Sequence, residues 1–184
     1  MLAKFFPVDG FGDEYELGIA LFDEVKNAKE ISKVVKSGTF DVEMALMNPK
    51  TVISLDVVRL CAFKAIAALK TKNGLVTKTL HSEIIFNCSP KTNINEAFRR
   101  FGANDASTAI LVASLDLKGE EENASKIRKL INGREIEATN GNLCRFADLE
   151  AIRKYYKLDE CGEELKISSL EEAVLTRIGT REVM

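Results

Sequence analysis

The residues from 54 to 72 read SLDVVRLCAFKAIAALKTK, and they predict the longest helix of the chain. Ser54 suits the N-cap, because its hydroxyl can accept a hydrogen bond from a backbone N–H of the first turn. The middle of the stretch carries only Arg59 and Lys64 as charged residues. A helix that is apolar almost all round is typical of the centre of a protein. The sequence therefore predicts a long, buried central helix over residues 55–72.

The segments on either side mix strand and helix patterns without regular β-α alternation. Apolar residues with partial alternation, or in a short continuous run, predict strands at residues 2–8, 15–22, 78–88, 108–115 and 134–138. Helical spacing and capping residues predict helices at residues 27–37, 41–47, 93–101, 123–132, 148–157 and from Ser169 onward. No linker is long enough to divide the chain. Together these patterns predict one α+β domain over residues 1–184, a mainly antiparallel sheet packed with helices around the central helix.

Composition narrows the class of protein. The chain has 184 residues, of which 46% are hydrophobic and 29% charged, and this excludes wholesale disorder. No apolar run approaches the ~20 residues of a membrane span, so we expect no membrane partner. The first residues turn acidic without a long apolar core, which is unlike a signal peptide. The four cysteines are scattered, so we expect small buried or half-buried thiols rather than disulfides or a metal site.

The charge is unevenly distributed along the chain. The net charge at pH 7 is −2, yet residues 59–100 carry eight cationic and two anionic residues, a net charge of +6. A basic segment inside a nearly neutral protein favours a polyanionic partner such as RNA. An ordinary solvated surface with unevenly placed lysines is the alternative.

Motifs for catalysis are absent from the sequence. There is no phosphate-binding loop of the G-x-x-x-x-G-K-[ST] type, no G-x-G-x-x-G turn and no G-x-S-x-G elbow. His81 is the only histidine, and at this stage it is either a residue that faces a ligand or a hydrogen-bonded residue of a strand. We therefore predict a protein that is not an enzyme and has no cofactor or metal. An enzyme with an unfamiliar site stays open as an alternative.

One block of sequence resembles a known family. Residues 78–90, KTLHSEIIFNCSP, followed by residues 93–102, NINEAFRRFG, are similar to the signature of the PRPK-binding protein family, whose members are small subunits of the EKC/KEOPS complex. Supporting matches are Asn48-Pro49, residues 152–158 (IRKYYKL) and residues 170–184. The similarity is collinear over nearly the whole chain, and it is poor in residues 1–15 and 117–146.

The resemblance implies a non-catalytic subunit. The family's complex installs threonylcarbamoyl on the adenosine next to the anticodon of tRNA, and a separate subunit performs the transfer. The family member is expected to bind and regulate the kinase-like ATPase subunit, and through the complex to meet the transferase subunit indirectly. It is also expected to help recruit tRNA by its 3′ end, and to be found in the cytoplasm and nucleus. A pure protein–protein adaptor of the kinase without direct RNA binding is the alternative.

Two sets of residues are the candidates for these contacts. The first lies in or beside the family-like block and supplies groups that grip phosphates or read unpaired bases. It comprises Lys64, Lys72, Lys78, His81, Arg99 and Arg100 as predicted tRNA-binding residues. The second set recurs at helical spacing near the end of the chain, in the region that the family is expected to use against the kinase N-lobe. It comprises Ile152, Tyr156, Leu170, Val174, Leu175 and Ile178 as predicted kinase-binding residues.

Overall fold

The strands of the protein form one antiparallel sheet. The computed structural model describes residues 4–7, 15–37, 42–117, 122–158 and 167–181. The strands are β1 (Lys4–Pro7), β2 (Tyr15–Asp23), β3 (Ala45–Met47), β4 (Ile110–Leu117) and β5 (Arg134–Ile136). Their order is β1-β2-β4-β3, and β5 pairs with the end of β2. β2 is the central strand, because Ile19 lies opposite Lys4 on one side and opposite Ala113 on the other. The predicted α+β class with an antiparallel sheet is confirmed.

Helices cover this sheet. They are α1 (Ala28–Ser37), α2 (Leu55–Leu69), α3 (Leu80–Asn87), α4 (Ile94–Phe101), α5 (Glu122–Leu130), α6 (Asn140–Cys144), α7 (Leu149–Tyr156) and α8 (Ile167–Gly179). The predicted helices that correspond to α1, α2, α4, α5, α7 and α8 are confirmed, and α6 was not predicted. None of the helices in the described part of the chain is long and apolar enough to cross a membrane.

The long central helix is α2. The Ser54 hydroxyl accepts a hydrogen bond from the backbone N–H of Val57, as its N-cap position predicts. Cys61, Ala62 and Ala65 are fully buried, and α3 and α8 both pack against α2. Small side chains at these positions let the neighbouring helices approach closely. The helix ends at Leu69, three residues earlier than predicted.

Apolar residues form two clusters, one on each face of the sheet. Leu111, Ala113 and Leu115 of β4 join the larger cluster, which also contains α2, α3, α7 and α8 residues. Ile110 and Val112 of the same strand point the other way and join the cluster built with α1 and α5. Because both faces are covered, β4 carries a continuous apolar run, as was predicted for a strand interior to the fold.

Two of the sequence predictions were wrong. Residues 78–88 were predicted as a strand, but Leu80–Asn87 form α3. Thr79 caps this helix, and the apolar residues Ile84 and Ile85 satisfy both periodicities. Residues 41–47 were predicted as a short helix, but residues 45–47 pair with β4 as the short strand β3. The pairing of Ala45 with Ala113 is a long-range contact that no local pattern reveals.

An ion pair fastens β5 to the end of β2. Arg134 donates from Nε to Asp23 Oδ1 at 2.9 Å and from Nη2 to Asp23 Oδ2 at 2.6 Å. These hydrogen bonds hold the pKa of the Asp23 carboxyl below its usual value. A carboxyl with a lowered pKa stabilises the fold above its unfolded pKa and loses that contribution as the pH falls through the folded value.

We therefore expect the Arg134→Ala variant to be less stable than the wild type near neutral pH and equally stable in strong acid. The difference in unfolding free energy should be full above the unfolded carboxyl pKa of about 3.9, and it should shrink as the pH falls through the lowered pKa of folded Asp23. Urea denaturation at a series of pH values measures it. The matched control is Lys129→Ala, which removes the same charge from an exposed position of α5. If the difference in unfolding free energy between the wild type and Arg134→Ala does not change with pH, the assigned role of the ion pair is contradicted.

Candidate functional site

A deep cleft opens beside β3. It has a volume of about 970 Å³ and lies between α1, the residues before and in β3, the first turn of α3, the end of α4 and the loop after it. This volume is at the upper end of the ~300–1,000 Å³ that is common for ligand sites. Its apolar lining includes Met44, Ile85 and Phe98, and its charged lining residues are Glu43, Lys78, Arg99 and Asp105. An apolar pocket with a few charged groups is the usual form of a binding site.

The first turn of α3 lines part of the cleft. Thr79 caps the helix by accepting a hydrogen bond from the Ser82 N–H at 3.2 Å, and both residues line the cleft. The Glu83 carboxylate, which is only 1% exposed, accepts hydrogen bonds from the Thr77 N–H and hydroxyl at 2.8 and 2.6 Å. The helix start is therefore rigidly held, and it places the positive end of the helix dipole beside Lys78.

His81 is engaged within the protein through both ring nitrogens. Its side chain is buried, and Nε2 accepts a hydrogen bond from the Leu115 backbone N–H at 2.9 Å. A backbone N–H can only donate, so Nε2 must be unprotonated and the ring proton sits on Nδ1. Nδ1 lies 3.3 Å from Oε2 of Glu43, which accepts that proton's hydrogen bond. His81 thus connects β4 to the wall of the cleft.

A close backbone contact shapes the other end of the cleft. Gly102 follows α4, and its N–H donates to the Phe98 carbonyl at 3.0 Å. A Cβ at position 102 would lie 2.6 Å from that carbonyl oxygen, so no larger residue fits without a shift of the backbone. Gly102 also forms a bridge to Met47. This contact holds the end of α4, and with it Arg99, against the edge of the sheet.

The structure brings three of the six predicted RNA-binding residues to this cleft. Lys78 and Arg99 are exposed on it, and the Arg99 side chain is 74% exposed. His81 lies in its wall. Lys78 precedes α3 and Arg99 lies on α4, and both line the same cavity, which has a partly apolar lining. Such an arrangement suits a chain that carries both phosphates and bases.

The other three predicted RNA-binding residues lie elsewhere. Lys64 donates from Nζ to the Ile178 carbonyl at 2.8 Å and so joins α2 to α8. Arg100 pairs with Glu96, and its guanidinium lies 4.5 Å from the centre of the Tyr155 ring. Lys72 is exposed in the turn after α2 and does not line the cleft. Their proposed contact with RNA stays a prediction, and the structure gives Lys64 and Arg100 contacts within the protein.

Sequence reasoning missed the acidic members of the cleft. Glu43 and Asp105 were not predicted, because both lie outside the basic segment of residues 59–100 and only cations indicate a site for a polyanion. Glu43 was also placed in a predicted helix, whereas it lies in the extended segment before β3.

The predicted kinase-binding residues are mostly in the core. Ile152, Tyr156, Leu170, Val174 and Ile178 are each no more than 1% exposed, and all belong to the larger apolar cluster. Leu175 is half-buried at the edge of that cluster. The accessible surface of α8 consists of the positions that face away from the core, and Leu175 is the member of the predicted set among them. We call it the outer face of α8, and it comprises Glu171, Glu172, Leu175 and Thr176. The role of the predicted set in kinase binding stays a prediction.

No group of three His, Cys, Asp or Glu residues in the described ranges is arranged to hold a metal ion. Of the three described cysteines, Cys61 and Cys88 are buried thiols with their sulfurs 3.5 Å apart, and Cys144 is exposed. Cys144 was predicted to be buried or half-buried, and this prediction is wrong. Beside Cys61, the Cys88 thiol shares a hydrogen bond and is buried, and both effects raise its pKa well above the usual value. These buried thiols are poor nucleophiles and poor metal ligands.

Comparison with known proteins assigns the family. The model of the family described as kinase binding protein CGI-121 matches residues 22–182. An EKC/KEOPS complex subunit TPRKB from Danio rerio is 35% identical over 170 residues, which are 92% of this chain and 93% of that protein. An EKC/KEOPS complex subunit cgi121 from Schizosaccharomyces pombe is 28% identical over 178 residues, 96% of this chain and 98% of that protein. The chain therefore belongs to the kinase binding protein CGI-121 family.

Proposed function

We propose that this protein is a non-catalytic EKC/KEOPS subunit that binds the kinase-like ATPase subunit and helps recruit tRNA by its 3′ end. The tRNA is then modified to threonylcarbamoyladenosine next to the anticodon by another subunit. Family membership supports the place in the complex. The observation that carries the RNA part is the cleft, where Lys78 and Arg99 flank an apolar lining.

The cleft suits a single strand better than a duplex. The bases of an unpaired strand expose faces that pack on apolar and aromatic side chains, such as that of the partly buried Phe98. A guanidinium such as that of Arg99 can pair with a phosphate or stack on a base. Lys78 supplies a point charge next to the α3 N-terminus, which also favours an anion. The unpaired 3′ end of tRNA has both kinds of group.

We expect the Lys78→Ala/Arg99→Ala double variant to bind tRNA with a weaker dependence on salt. Each phosphate neutralised on a single strand contributes about 0.7 to the slope of log affinity against log salt, so the slope should flatten by roughly 1.4. The measurement is tRNA binding by the full chain at several salt concentrations. It is repeated with tRNA that lacks its unpaired 3′ nucleotides, which the wild type should bind more weakly.

The control variant for this experiment is Lys50→Ala/Lys154→Ala, which removes two exposed lysines that do not line the cleft. It should keep the wild-type slope. If trimming the 3′ end leaves wild-type binding unchanged, or if both double variants flatten the slope equally, the cleft is not the RNA site. If the protein binds the kinase and no tRNA at all, it is a pure adaptor.

For the kinase we propose the outer face of α8 as the contact. Leu175 is its one large apolar side chain among the described residues, and it is flanked by Glu171 and Glu172. A half-buried apolar side chain on the surface can be buried further by a partner, inside a rim of polar groups. We further propose that the chain turns over no substrate and that it is found in the cytoplasm and nucleus. ATP hydrolysis by the pure chain, abolished by a point change within it, would contradict the first of these, and imaging of the tagged protein tests the second.

A further inference from the structure

Three asparagine residues are followed directly by glycine, and their surroundings in the fold differ. The pairs are Asn73-Gly74, Asn132-Gly133 and Asn140-Gly141. Asparagine is a thermolabile residue, because the backbone nitrogen of the next residue can attack its side-chain amide carbon. Glycine hinders this attack least, since it has no Cβ. The contacts of each pair in the fold therefore decide where the amide is lost.

The pair Asn140-Gly141 is held at the start of α6. The Asn140 Oδ1 atom accepts a hydrogen bond from the Leu55 backbone N–H of α2 at 2.9 Å. Thr139 caps α6 by accepting a hydrogen bond from the Asn142 N–H at 3.1 Å. The side-chain amide and the helical backbone at this pair are both engaged, so attack by the Gly141 nitrogen requires both contacts to open.

The pair Asn132-Gly133 is held by the residues between β2 and α1. The Asn132 N–H donates to Asn27 Oδ1, and the Asn132 carbonyl accepts from the Lys26 N–H, both at 2.9 Å. A Cβ at position 133 would lie 2.9 Å from the Asp23 carbonyl oxygen, so the Gly133 backbone packs tightly against the end of β2. Ring closure must move the peptide between the two residues, and here that peptide is held on both sides.

The pair Asn73-Gly74 lies in the turn between α2 and α3. Asn73 is exposed, and its side chain makes no hydrogen bond in the described part of the chain. Gly74 has a φ of 66°, and a Cβ built there would meet no atom within 4 Å. The Gly74 N–H donates to the Thr71 carbonyl at 3.2 Å, a long hydrogen bond of a surface turn that water can replace. The Gly74 nitrogen can therefore approach the Asn73 amide without disturbing the core.

We infer that Asn73 is a site of spontaneous deamidation, at which the intact fold permits conversion to aspartate or isoaspartate. The Gly74 nitrogen loses its proton to a base from solvent and bonds to Cγ of Asn73. The bond from Cγ to Nδ2 breaks, and Nδ2 takes up a proton and leaves as ammonia. The attack is favoured because both reacting groups belong to adjacent residues. A water molecule then opens the succinimide ring, at Cγ to give aspartate or at the backbone carbonyl carbon to give isoaspartate.

The product changes the charge and the length of this turn. The new carboxylate lies next to Lys72, and it lowers by one the net charge of +6 that residues 59–100 carry. It also lies beyond the end of α2, where the helix dipole disfavours a negative charge. Isoaspartate adds a carbon atom to the main chain between α2 and α3. None of this depends on the proposed contacts with RNA or the kinase.

The test incubates the full chain at mildly alkaline pH and follows each amide by peptide mapping with mass spectrometry. A local opening that costs about 1.4 kcal/mol slows a reaction tenfold, so Asn73 should react at least about tenfold faster than Asn132 and Asn140. In guanidinium chloride the fold is lost, and the three residues should react at similar rates. The matched variant is Asn73→Gln, which keeps an amide whose attack would form a larger and more slowly closing ring.

The outcomes are distinct. Fast loss of the amide at Asn73 in the folded chain, slow loss at the other two positions and similar rates in the denaturant support the assignment. Equal rates at the three positions of the folded chain, or a faster reaction at Asn132 or Asn140, overturn it. A reaction of Asn73 that is much slower in the folded chain than in the denaturant shows that the turn protects the amide, and it also overturns the assignment. Release of ammonia by folded Asn73→Gln at the wild-type rate places the reaction elsewhere and has the same consequence.

Discussion

A Val174→Glu variant should be unfolded, while Leu175→Glu should be folded and defective in kinase binding. Val174 is 1% exposed in the larger core cluster, which holds Tyr156 as well. Burying a polar group without a partner costs about 2–7 kcal/mol, and an unpaired carboxylate costs more. The free energy of unfolding of a typical domain is only about 5–15 kcal/mol. Circular dichroism and urea denaturation of the two variants make the comparison.

The kinase measurement applies to the folded variant. Leu175 lies at the rim of the core on the outer face of α8, and loss of an interface hot spot typically costs about 2 kcal/mol or more. We therefore expect Leu175→Glu to weaken binding of the kinase-like subunit by about 30-fold. Glu172→Arg reverses a charge on the same exposed face, and it should weaken kinase binding without altering the core. Asn95→Glu adds a charge at an exposed position of α4 and should bind normally. Normal binding by both α8 variants would place the interface elsewhere.

The parts of the fold that the sequence predicts correctly are those with strong local signals. α2 combines a capping serine at position 54 with a nearly continuous apolar surface. α4 has Asn93 as its cap and Gly102 as its end, and both are seen in the structure. In β4 the apolar run predicted a strand whose two faces are both buried. In each case the local preference and the tertiary environment agree.

The identity of α3 depends on contacts that the local sequence does not contain. Its apolar positions match a strand and a helix equally well. The helix allows buried polar residues to be satisfied, since His81 reaches the Leu115 N–H of β4 and Glu83 reaches Thr77. In a strand His81 and Glu83 would share the face opposite the core. Thr77 is a local partner, whereas the Leu115 N–H belongs to another element, and a single sequence does not reveal that partner.

For the same reason, the sequence predicted only part of the candidate site. The charge excess of residues 59–100 identified Lys78 and Arg99, which lie on the cleft. Lys64 has the same charge and lies in the same segment, yet it bonds the Ile178 carbonyl 114 positions away. Residue type and local charge do not distinguish a cation used within the fold from one that is available to a ligand. An excess of positive charge gives no indication of acidic residues in the same site, such as Glu43.

Helical spacing identified the apolar stripe of α8 but not its exposed surface. Leu170, Val174 and Ile178 recur every four residues, and such a stripe is first of all the face that packs on the core. A surface for a partner lies on the remaining positions of the same helix. Leu175 belonged to the predicted set because it lies beside this apolar stripe. The same position places its side chain at the edge of the core.

Tyr156 joins α7 to the end of α3. Its hydroxyl donates to the Cys88 carbonyl at 2.6 Å, and its ring lies edge-on to Phe101 with the centroids 5.8 Å apart. Burial raises the pKa of the phenol well above its usual value, so the hydroxyl keeps its proton and remains a donor at all ordinary pH values. Close to Cys88 in the sequence, the Phe86 and Ser89 carbonyls accept hydrogen bonds from Arg181. The C-terminal carbonyls of α3, which no helix can satisfy internally, are thus bonded by side chains of later elements.

We therefore expect Tyr156→Ala to lower the free energy of unfolding by about 3–5 kcal/mol, because it removes a buried ring and leaves a cavity. Tyr156→Phe keeps the ring and removes the only hydroxyl bonded to the Cys88 carbonyl among the described residues, at a cost of about 1–3 kcal/mol. Urea denaturation measures both. Because the hydroxyl points into the core, folded Tyr156→Phe should bind the kinase-like subunit with wild-type affinity. A loss of kinase binding by this stable variant would instead make Tyr156 a direct contact, and equal stability losses in the two variants would refute the assigned role of the ring.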